Sequence, residues 1–93
     1  MSRACDAIGC NCQTATGRFM CPRHWRFVPL EIQRTINRQF RLAKTRHALM
    51  HDAVYVEACA KAVEHIAEAE GHPTENSYRR LLAVLNRRAE EAS

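Results

Sequence analysis

The chain has 93 residues, a formal net charge of +4 and an apolar fraction of 46%. This length allows one small domain, close to the size at which folds need a metal, a disulfide or a partner chain for stability. The sequence has no uninterrupted apolar run of about eighteen residues and no apolar stretch near its start of the kind that a secretory signal has. We therefore expect a cytoplasmic protein that forms a single domain over residues 1–93 and has no contact with a membrane.

The first segment, residues 1–28, is rich in cysteine. It contains four of the five cysteines of the chain and a histidine three positions after the fourth, namely Cys5, Cys10, Cys12, Cys21 and His24. A reducing cytoplasm disfavours disulfides, and an odd number of cysteines leaves one thiol unpaired in any disulfide scheme. Metal binding is therefore the favoured interpretation. Gly9, Gly17 and Pro22 interrupt any regular helix, so the segment is predicted to consist of knuckles and turns.

Cys21 and His24 form a Cys-x2-His unit of the kind that binds tetrahedral zinc. The second pair of ligands has to come from Cys5, Cys10 and Cys12. We favour Cys5 and Cys10, because the four residues between them include a glycine and can form a knuckle, whereas Cys10 and Cys12 would form a strained chelate. Cys12 is the alternative ligand. A metal-free cluster of reduced thiols and a redox dithiol of Cys10 and Cys12 are the competing interpretations.

A site with four protein ligands leaves zinc no open position for water or substrate, so we expect a structural Zn²⁺ and no enzyme activity. The segment has too little apolar surface to order itself, and its folding should depend on the metal. Three thiolates give the site a net negative charge. Four arginines lie near the ligands in the sequence and can partly neutralise that charge: Arg3, Arg18, Arg23 and Arg26.

Residues 30–70 contain neither glycine nor proline, which favours helix, and Pro29 suits the start of one. The phase of the apolar residues conflicts with one straight helix, because at about 100° per residue a first set faces away from a second. The first set is Ile32, Ile36, Phe40, Ala43 and His47. The second set is Leu49, Ala53, Val56, Ala60, Val63 and Ala67. A break or kink near residues 43–49 resolves the conflict.

We therefore predict a mainly α fold, with helices over residues 30–44, 47–70 and 75–91. The Gly71-His72-Pro73 sequence ends the second helix, and Thr74 is the expected N-cap of the third. The last two helices should form an antiparallel hairpin, and the Cys/His segment should pack on the broken long helix. The third helix supplies an apolar face of Tyr78, Leu81, Leu82, Leu85 and Ala89. One continuous long helix that dimerises is the alternative.

Charge is divided unevenly along the chain. Residues 1–48 carry nine lysines and arginines against two acidic residues, and residues 49–93 carry five against eight. The first half therefore suits an anionic partner. The predicted partner-binding residues lie on the helix face opposite the first apolar set or at its edges: Arg34, Arg38, Arg41, Lys44 and Arg46. A solvated amphipathic helix would show the same pattern, but arginine at the first three positions favours a partner.

Two aromatic residues, Trp25 and Phe27, come directly after the last expected ligand. We expect them to form a structural bridge that packs the metal-binding turns on the helices. The alternative is an exposed aromatic anchor at an interface.

The pattern C-x4-C…M-C-x2-H-W-x3-P, which spans residues 5–29, resembles that of a group of small phage-encoded proteins that are mostly uncharacterised. The resemblance covers about the first forty residues of the chain. It supports the ligand set Cys5, Cys10, Cys21 and His24, from which Cys12 is a departure. It implies a phage or prophage source but no defined activity.

These observations lead to two hypotheses about function. In the favoured one, a zinc-stabilised phage protein binds and inhibits or redirects a host protein, for example a defence, transcription or replication component. In the alternative, the arginine-rich helix and the basic first segment bind nucleic acid as part of a regulator. A host protein is the more strongly favoured partner, and a homodimer stays open.

Overall fold

A computed structural model describes residues 2–15 and 19–92 of the chain. Within these ranges, two short strands are followed by five helices: β1 Ser2–Ala4, β2 Gln13–Ala15, α1 Pro22–Trp25, α2 Leu30–Leu42, α3 Arg46–Met50, α4 Ala53–Glu70 and α5 Ser77–Ala92. The prediction of a mainly α fold is confirmed. Arg18 lies outside the described residues, as does the side chain of Arg3.

The first segment contains an antiparallel strand pair. β1 and β2 run in opposite directions, with Ser2 opposite Ala15 and Ala4 opposite Gln13. The pairing is extended by the Cys5 N–H, which donates to the Cys12 carbonyl oxygen at 3.0 Å. The expectation of turns alone was wrong here. Strands of three residues are too short to display the alternation of apolar and polar side chains by which strands are recognised in a sequence.

The predicted break after the first long helix is confirmed. α2 ends at Leu42, and Ala43 takes an extended conformation with φ −78° and ψ 135°. The alternative of one continuous helix was therefore wrong. α3 begins after Thr45, whose hydroxyl oxygen accepts a hydrogen bond from the Ala48 N–H at 3.1 Å. This N-cap sets the start of a new helix, whose apolar side chains point in a different direction from those of α2.

The helix expected over residues 47–70 is divided into α3 and α4. The division occurs at Asp52, whose carboxylate accepts hydrogen bonds from the Val54 and Tyr55 N–H groups at 3.0 and 3.4 Å. The same carboxylate accepts a bond from Gln39 Nε2 at 2.6 Å, which attaches the end of α2 to the start of α4. Asp52 is thus both an N-cap and a link between two helices.

α4 forms the centre of the fold, because α2, α3 and α5 all pack against it. Nine of its residues are buried, and Cys59 is fully inaccessible to solvent, as expected for a small core residue. The second apolar set faces this core, except that Ala53 is exposed at the first turn. In the first set, Ile36 is buried, but Phe40 is exposed although it lies within α2. His47 is also exposed, because α2 ends before it.

α4 ends as predicted at the glycine of the Gly-His-Pro sequence. Gly71 has φ +75°, and the His72 N–H donates to the Ala67 carbonyl oxygen at 2.8 Å, which is the bonding of a Schellman-type helix end. α5 begins at Ser77, two residues later than expected. Its N-cap is Asn76 rather than Thr74, because the Asn76 side-chain oxygen accepts a bond from the Arg79 N–H at 3.0 Å.

The first segment packs on the helices through Phe19. Its ring makes edge contacts with Trp25 and Tyr78, at centroid distances of 6.5 and 5.6 Å. The Tyr78 hydroxyl donates to Asp6 at 2.6 Å, and burial together with this carboxylate raises the pKa of Tyr78. Trp25 is half-buried, but Phe27 is 64% exposed and forms no bridge. Phe27 follows the last turn of α1, where its side chain faces solvent.

The role of Asp52 can be tested by its replacement with alanine. Asp52→Ala removes the cap of α4 and the bond from Gln39, so we expect the free energy of unfolding to fall by about 1–2 kcal/mol. Urea denaturation followed by circular dichroism measures this loss. Gln39→Ala is the control: it removes only the link between helices and should cost less. Equal losses for the two variants would contradict the capping role.

Candidate metal centre

Four side chains of the first segment meet at one point. The ligand atoms of Cys5, Cys10, Cys21 and His24 all lie within 4.8 Å of one another. Cys5 directly follows β1, Cys10 lies in the turn between the strands, and Cys21 and His24 are at the start of and within α1. These side chains are therefore close enough to bind one metal ion. No disulfide competes, since none of the five cysteines forms one.

The turn between the strands places Cys10 beside Cys5. The Cys10 N–H donates to the Ala7 carbonyl oxygen at 3.2 Å, which closes a tight turn around Gly9. Gly9 has φ +79°, and a Cβ at this position would lie 2.9 Å from Nε2 of His72. Glycine thus allows both the left-handed conformation and the approach of the turn to the end of α4.

The Cys21–His24 unit owes its geometry to the short helix α1. Cys21 precedes α1 in an extended conformation and Pro22 is the first helical residue, where its missing N–H costs no hydrogen bond. One helical turn then brings Nδ1 of His24 to 3.4 Å from the Cys21 sulfur and 3.7 Å from the Cys5 sulfur. The Cys21 N–H also donates to the Cys5 sulfur at 3.3 Å. N–H bonds of this kind stabilise thiolate ligands.

The opposite side of the His24 ring contacts a carboxylate. Nε2 of His24 lies 3.1 and 3.2 Å from the two carboxylate oxygens of Glu70, the last residue of α4. A proton on Nε2 donated to Glu70 leaves Nδ1 as the lone-pair nitrogen that faces the thiols. This arrangement of carboxylate, imidazole and metal position is typical of metal-binding histidines. The His24 side chain is almost completely buried, so the ring orientation is fixed.

Glu70 could not be identified as a contact of the metal ligands from the sequence. It lies 46 residues from His24 and was expected only to be part of a helix. The one usable signal is general: a buried ligand histidine needs an acceptor for its second nitrogen. That rule does not identify which carboxylate supplies it.

The pKa values of the ligands differ because their surroundings differ. Burial raises the pKa of Cys5 to about 11. Burial also acts to raise the pKa of Cys21, but hydrogen bonds from the backbone N–H and the side chain of His24 outweigh it and lower this pKa to about 6. For His24, burial is the largest single influence and lowers the pKa, but the hydrogen bonds to Glu70 and Cys21 and the nearby negative charges together outweigh it, so the net shift is upward.

Cys12 lies beside the cluster but is not one of the four converging groups. Its side chain is exposed, and its N–H donates to the Cys10 sulfur at 3.4 Å. Hydrogen bonding with the Cys10 thiol is the main factor that raises the pKa of Cys12. The structure thus brings together the favoured ligand set and leaves the alternative ligand at its edge.

The predicted partner-binding cations are all exposed: Arg34, Arg38, Arg41, Lys44 and Arg46. Within residues 2–15 and 19–92, none of them forms an ion pair, although Nε of Arg38 donates to the side chain of the neighbouring Gln39 at 3.4 Å. Arg23 and Arg26 are also exposed, and Nε of Arg26 donates to the Pro22 carbonyl oxygen at 3.3 Å. The charges of α2 therefore remain available to a partner.

Three thiols and one imidazole form a closed set of soft donors. Protein side chains supply all four ligands of this set, and the second nitrogen of His24 contacts Glu70. Such a set is suited to holding a metal ion that stabilises structure.

No protein-family model, curated protein or solved structure matches this chain. Among the helices that the structure describes, none has the combination of length and apolar character that a membrane crossing requires.

The contact between His24 and Glu70 predicts a role for Glu70 in metal affinity. Glu70→Gln keeps the shape of the side chain but removes the charged acceptor, so we expect Zn²⁺, used as the probe, to bind about 10–100-fold more weakly. Competition with a chromophoric chelator measures the affinity. The matched control is Glu68→Gln, which changes an exposed carboxylate on the same helix. The same affinity in both variants would contradict this role.

The ligand pKa values predict how metal affinity depends on pH. Cys5, with a pKa of about 11, keeps its proton near neutral pH in the metal-free protein, and the metal has to displace it. Affinity for Zn²⁺ should therefore rise by at least about tenfold per pH unit between about pH 7 and 9. Cys21, with a pKa of about 6, is protonated only in more acidic solution, where the metal has to displace a second proton. A constant affinity over the upper range would contradict the burial of Cys5.

Proposed function

We propose that this protein is a zinc-stabilised, non-enzymatic binding protein that attaches to another protein through the outer surface of α2. The metal site would hold the first segment in place, and α2 would supply the contacts. The observation that carries the proposal is a row of exposed arginines on one face of this helix, flanked by exposed leucines and without ion pairs among the described residues.

Zinc is the metal that best suits three cysteines and one histidine. Four-coordinate Cys3His sites of this kind are structural in zinc proteins, because no position remains for water or substrate. None of the five cysteines forms a disulfide, which fits a reducing cytoplasm, where a metal rather than a disulfide stabilises a small fold. Metal analysis of the purified protein should give about one zinc per chain.

The α2 outer surface consists of Leu30, Arg34, Arg38, Arg41 and Leu42. At about 100° per residue, these positions fall within about 120° of the helix circumference. Leu30 and Leu42 are 57% and 71% exposed, and the arginines between them form no ion pair within the described residues. Arginine beside exposed apolar side chains is typical of protein interfaces, because the apolar groups gain from leaving water and the guanidinium, which is less strongly hydrated than an ammonium group, can form several hydrogen bonds with the partner.

The leucines are the reason to favour a protein over nucleic acid. A row of guanidinium groups alone can follow phosphates, which keeps nucleic acid as the alternative partner. Leu30 and Leu42 would remain exposed to water against a phosphate backbone, whereas a protein surface can bury them. The resemblance to phage-encoded proteins suggests that the partner is a protein of the bacterial host, which the protein would inhibit or redirect.

Capture of partners from host lysate tests this proposal. The tagged, zinc-loaded protein should retain a stoichiometric protein partner after nuclease treatment, and Arg34→Glu/Arg38→Glu should lose it, since two of the three charges on the α2 outer surface are reversed. The control Arg87→Glu/Arg88→Glu reverses two exposed charges on α5 and should retain the partner. If nuclease releases all partners, or if binding falls steeply with salt as phosphate contacts require, nucleic acid is the partner instead.

A further inference from the structure

We propose that a groove on the other side of α2 binds an acidic amphipathic helix from a partner protein. The groove has a volume of about 690 Å³ and lies between the metal-binding segment, α2 and α3. We call it the basic-rimmed groove. Its apolar lining includes Phe19, Trp25, Ile36, Phe40, Leu49 and Tyr55, and its rim carries Arg26, Lys44 and Arg46. These sets do not overlap with the α2 outer surface.

Most of the residues that line the groove are apolar or aromatic, and two of its hydroxyl groups already form hydrogen bonds within the protein. The Tyr78 hydroxyl donates to Asp6 at 2.6 Å. The Thr45 hydroxyl oxygen accepts the capping bond from the Ala48 N–H. Phe40 is 48% exposed beside the groove, so a large aromatic surface is in contact with water. A ligand that covers it with apolar side chains would be favoured by the hydrophobic effect.

The charged residues that line the groove are all positive. Arg26, Lys44 and Arg46 line it, and no carboxylate does so among the described residues. Lys44 and Arg46 form no ion pair within the described part of the chain. Arg26 comes from the end of α1, while Lys44 and Arg46 come from the connection between α2 and α3 and from the start of α3. The potential at the groove therefore favours an anionic ligand.

An amphipathic helix with carboxylates fits these features better than a small anionic amphiphile does. A volume of about 690 Å³ accepts several apolar side chains, which a helix provides at successive turns along one face. The three cations come from two separate stretches of the chain, Arg26 from one and Lys44 and Arg46 from the other. Carboxylates placed along the edges of a helix could engage both stretches.

Selection from a displayed library of helical peptides with randomised faces tests the proposal. The zinc-loaded protein should enrich peptides that combine an apolar stripe with acidic flanks. For a selected peptide, Lys44→Glu/Arg46→Glu should weaken binding by roughly tenfold or more, because two rim charges are reversed. Phe40→Ser should also weaken it. Circular dichroism and zinc content establish that the variants are folded.

The matched control is Arg34→Glu/Arg38→Glu, which makes the same change of charge on the opposite side of α2. It should leave peptide affinity unchanged, even though it is expected to abolish capture through the α2 outer surface. The two proposals can therefore fail separately. A peptide that responds to the control variant, and not to Lys44→Glu/Arg46→Glu, would overturn the assignment of the groove.

Ligands of the groove other than an acidic helix would give different outcomes in these experiments. Selection of peptides without acidic residues, or of none, would overturn the proposal. Stronger competition by a single-stranded oligonucleotide or by dodecanoate than by an acidic peptide would assign the groove to another ligand. A dimer in analytical ultracentrifugation that Lys44→Glu/Arg46→Glu dissociates would assign it to a second copy of the chain.

Discussion

The structure of the first segment depends on the imidazole of His24, which is bonded on both sides. Nδ1 faces the sulfur atoms of Cys5 and Cys21, and Nε2 contacts the Glu70 carboxylate at the end of α4. A pair of three-residue strands has too few bonds and too little apolar surface to be stable alone. A metal at this point would connect the strands, α1 and α4 through one ring. Without a metal, the same thiols would face one another with no ion to bind them, which is why folding and metal binding are coupled in sites of this type.

The metal site and the basic-rimmed groove share an element of structure. Cys21 and His24 converge with the other donors, while Pro22, Trp25 and Arg26 line the groove. Because α1 is only four residues long, the metal donors and the groove-lining residues are close neighbours in this part of the chain. Any change in the position of α1 alters the groove. A ligand that requires the ordered groove is therefore linked to metal occupancy, and each would stabilise the other by mass action.

The parts of the fold that were predictable from the sequence are those determined by neighbouring residues. The Cys-x2-His unit needs one helical turn, and the break at Ala43 follows from a change of phase that one straight helix cannot satisfy. The separation of α3 from α4 also has a local signal, because Asp52 is a good N-cap residue, but the apolar set continues past it and predicts one helix. In that case a local cap and its bond to Gln39 determined the structure.

The parts that were not predictable depend on contacts between distant residues. Glu70 reaches His24 across 46 positions, and Phe19 meets Tyr78 from the opposite end of the chain. Trp25 was identified because it adjoins the ligands, but adjacency did not distinguish it from Phe27, which faces solvent. The groove belongs to the same class of features, since its lining comes from every helix and its shape is absent from any one stretch of sequence.

Acidic and basic residues differ in how often they are paired within the protein. Carboxylates of the second half are engaged within the protein: Glu70 contacts His24, Glu57 pairs with Lys61, and Glu64 forms a two-point ion pair with Arg79 at 2.7 and 2.9 Å. Arg79 lowers the pKa of Glu64, so this pair stays ionised over a wide range of pH. The cations of α2 and of the groove rim have no such partners within the described residues. The fold thus pairs several of its acidic groups internally and leaves the basic groups of α2 and of the groove rim exposed, so that a protein of small net charge has the local potential to attract an anionic surface.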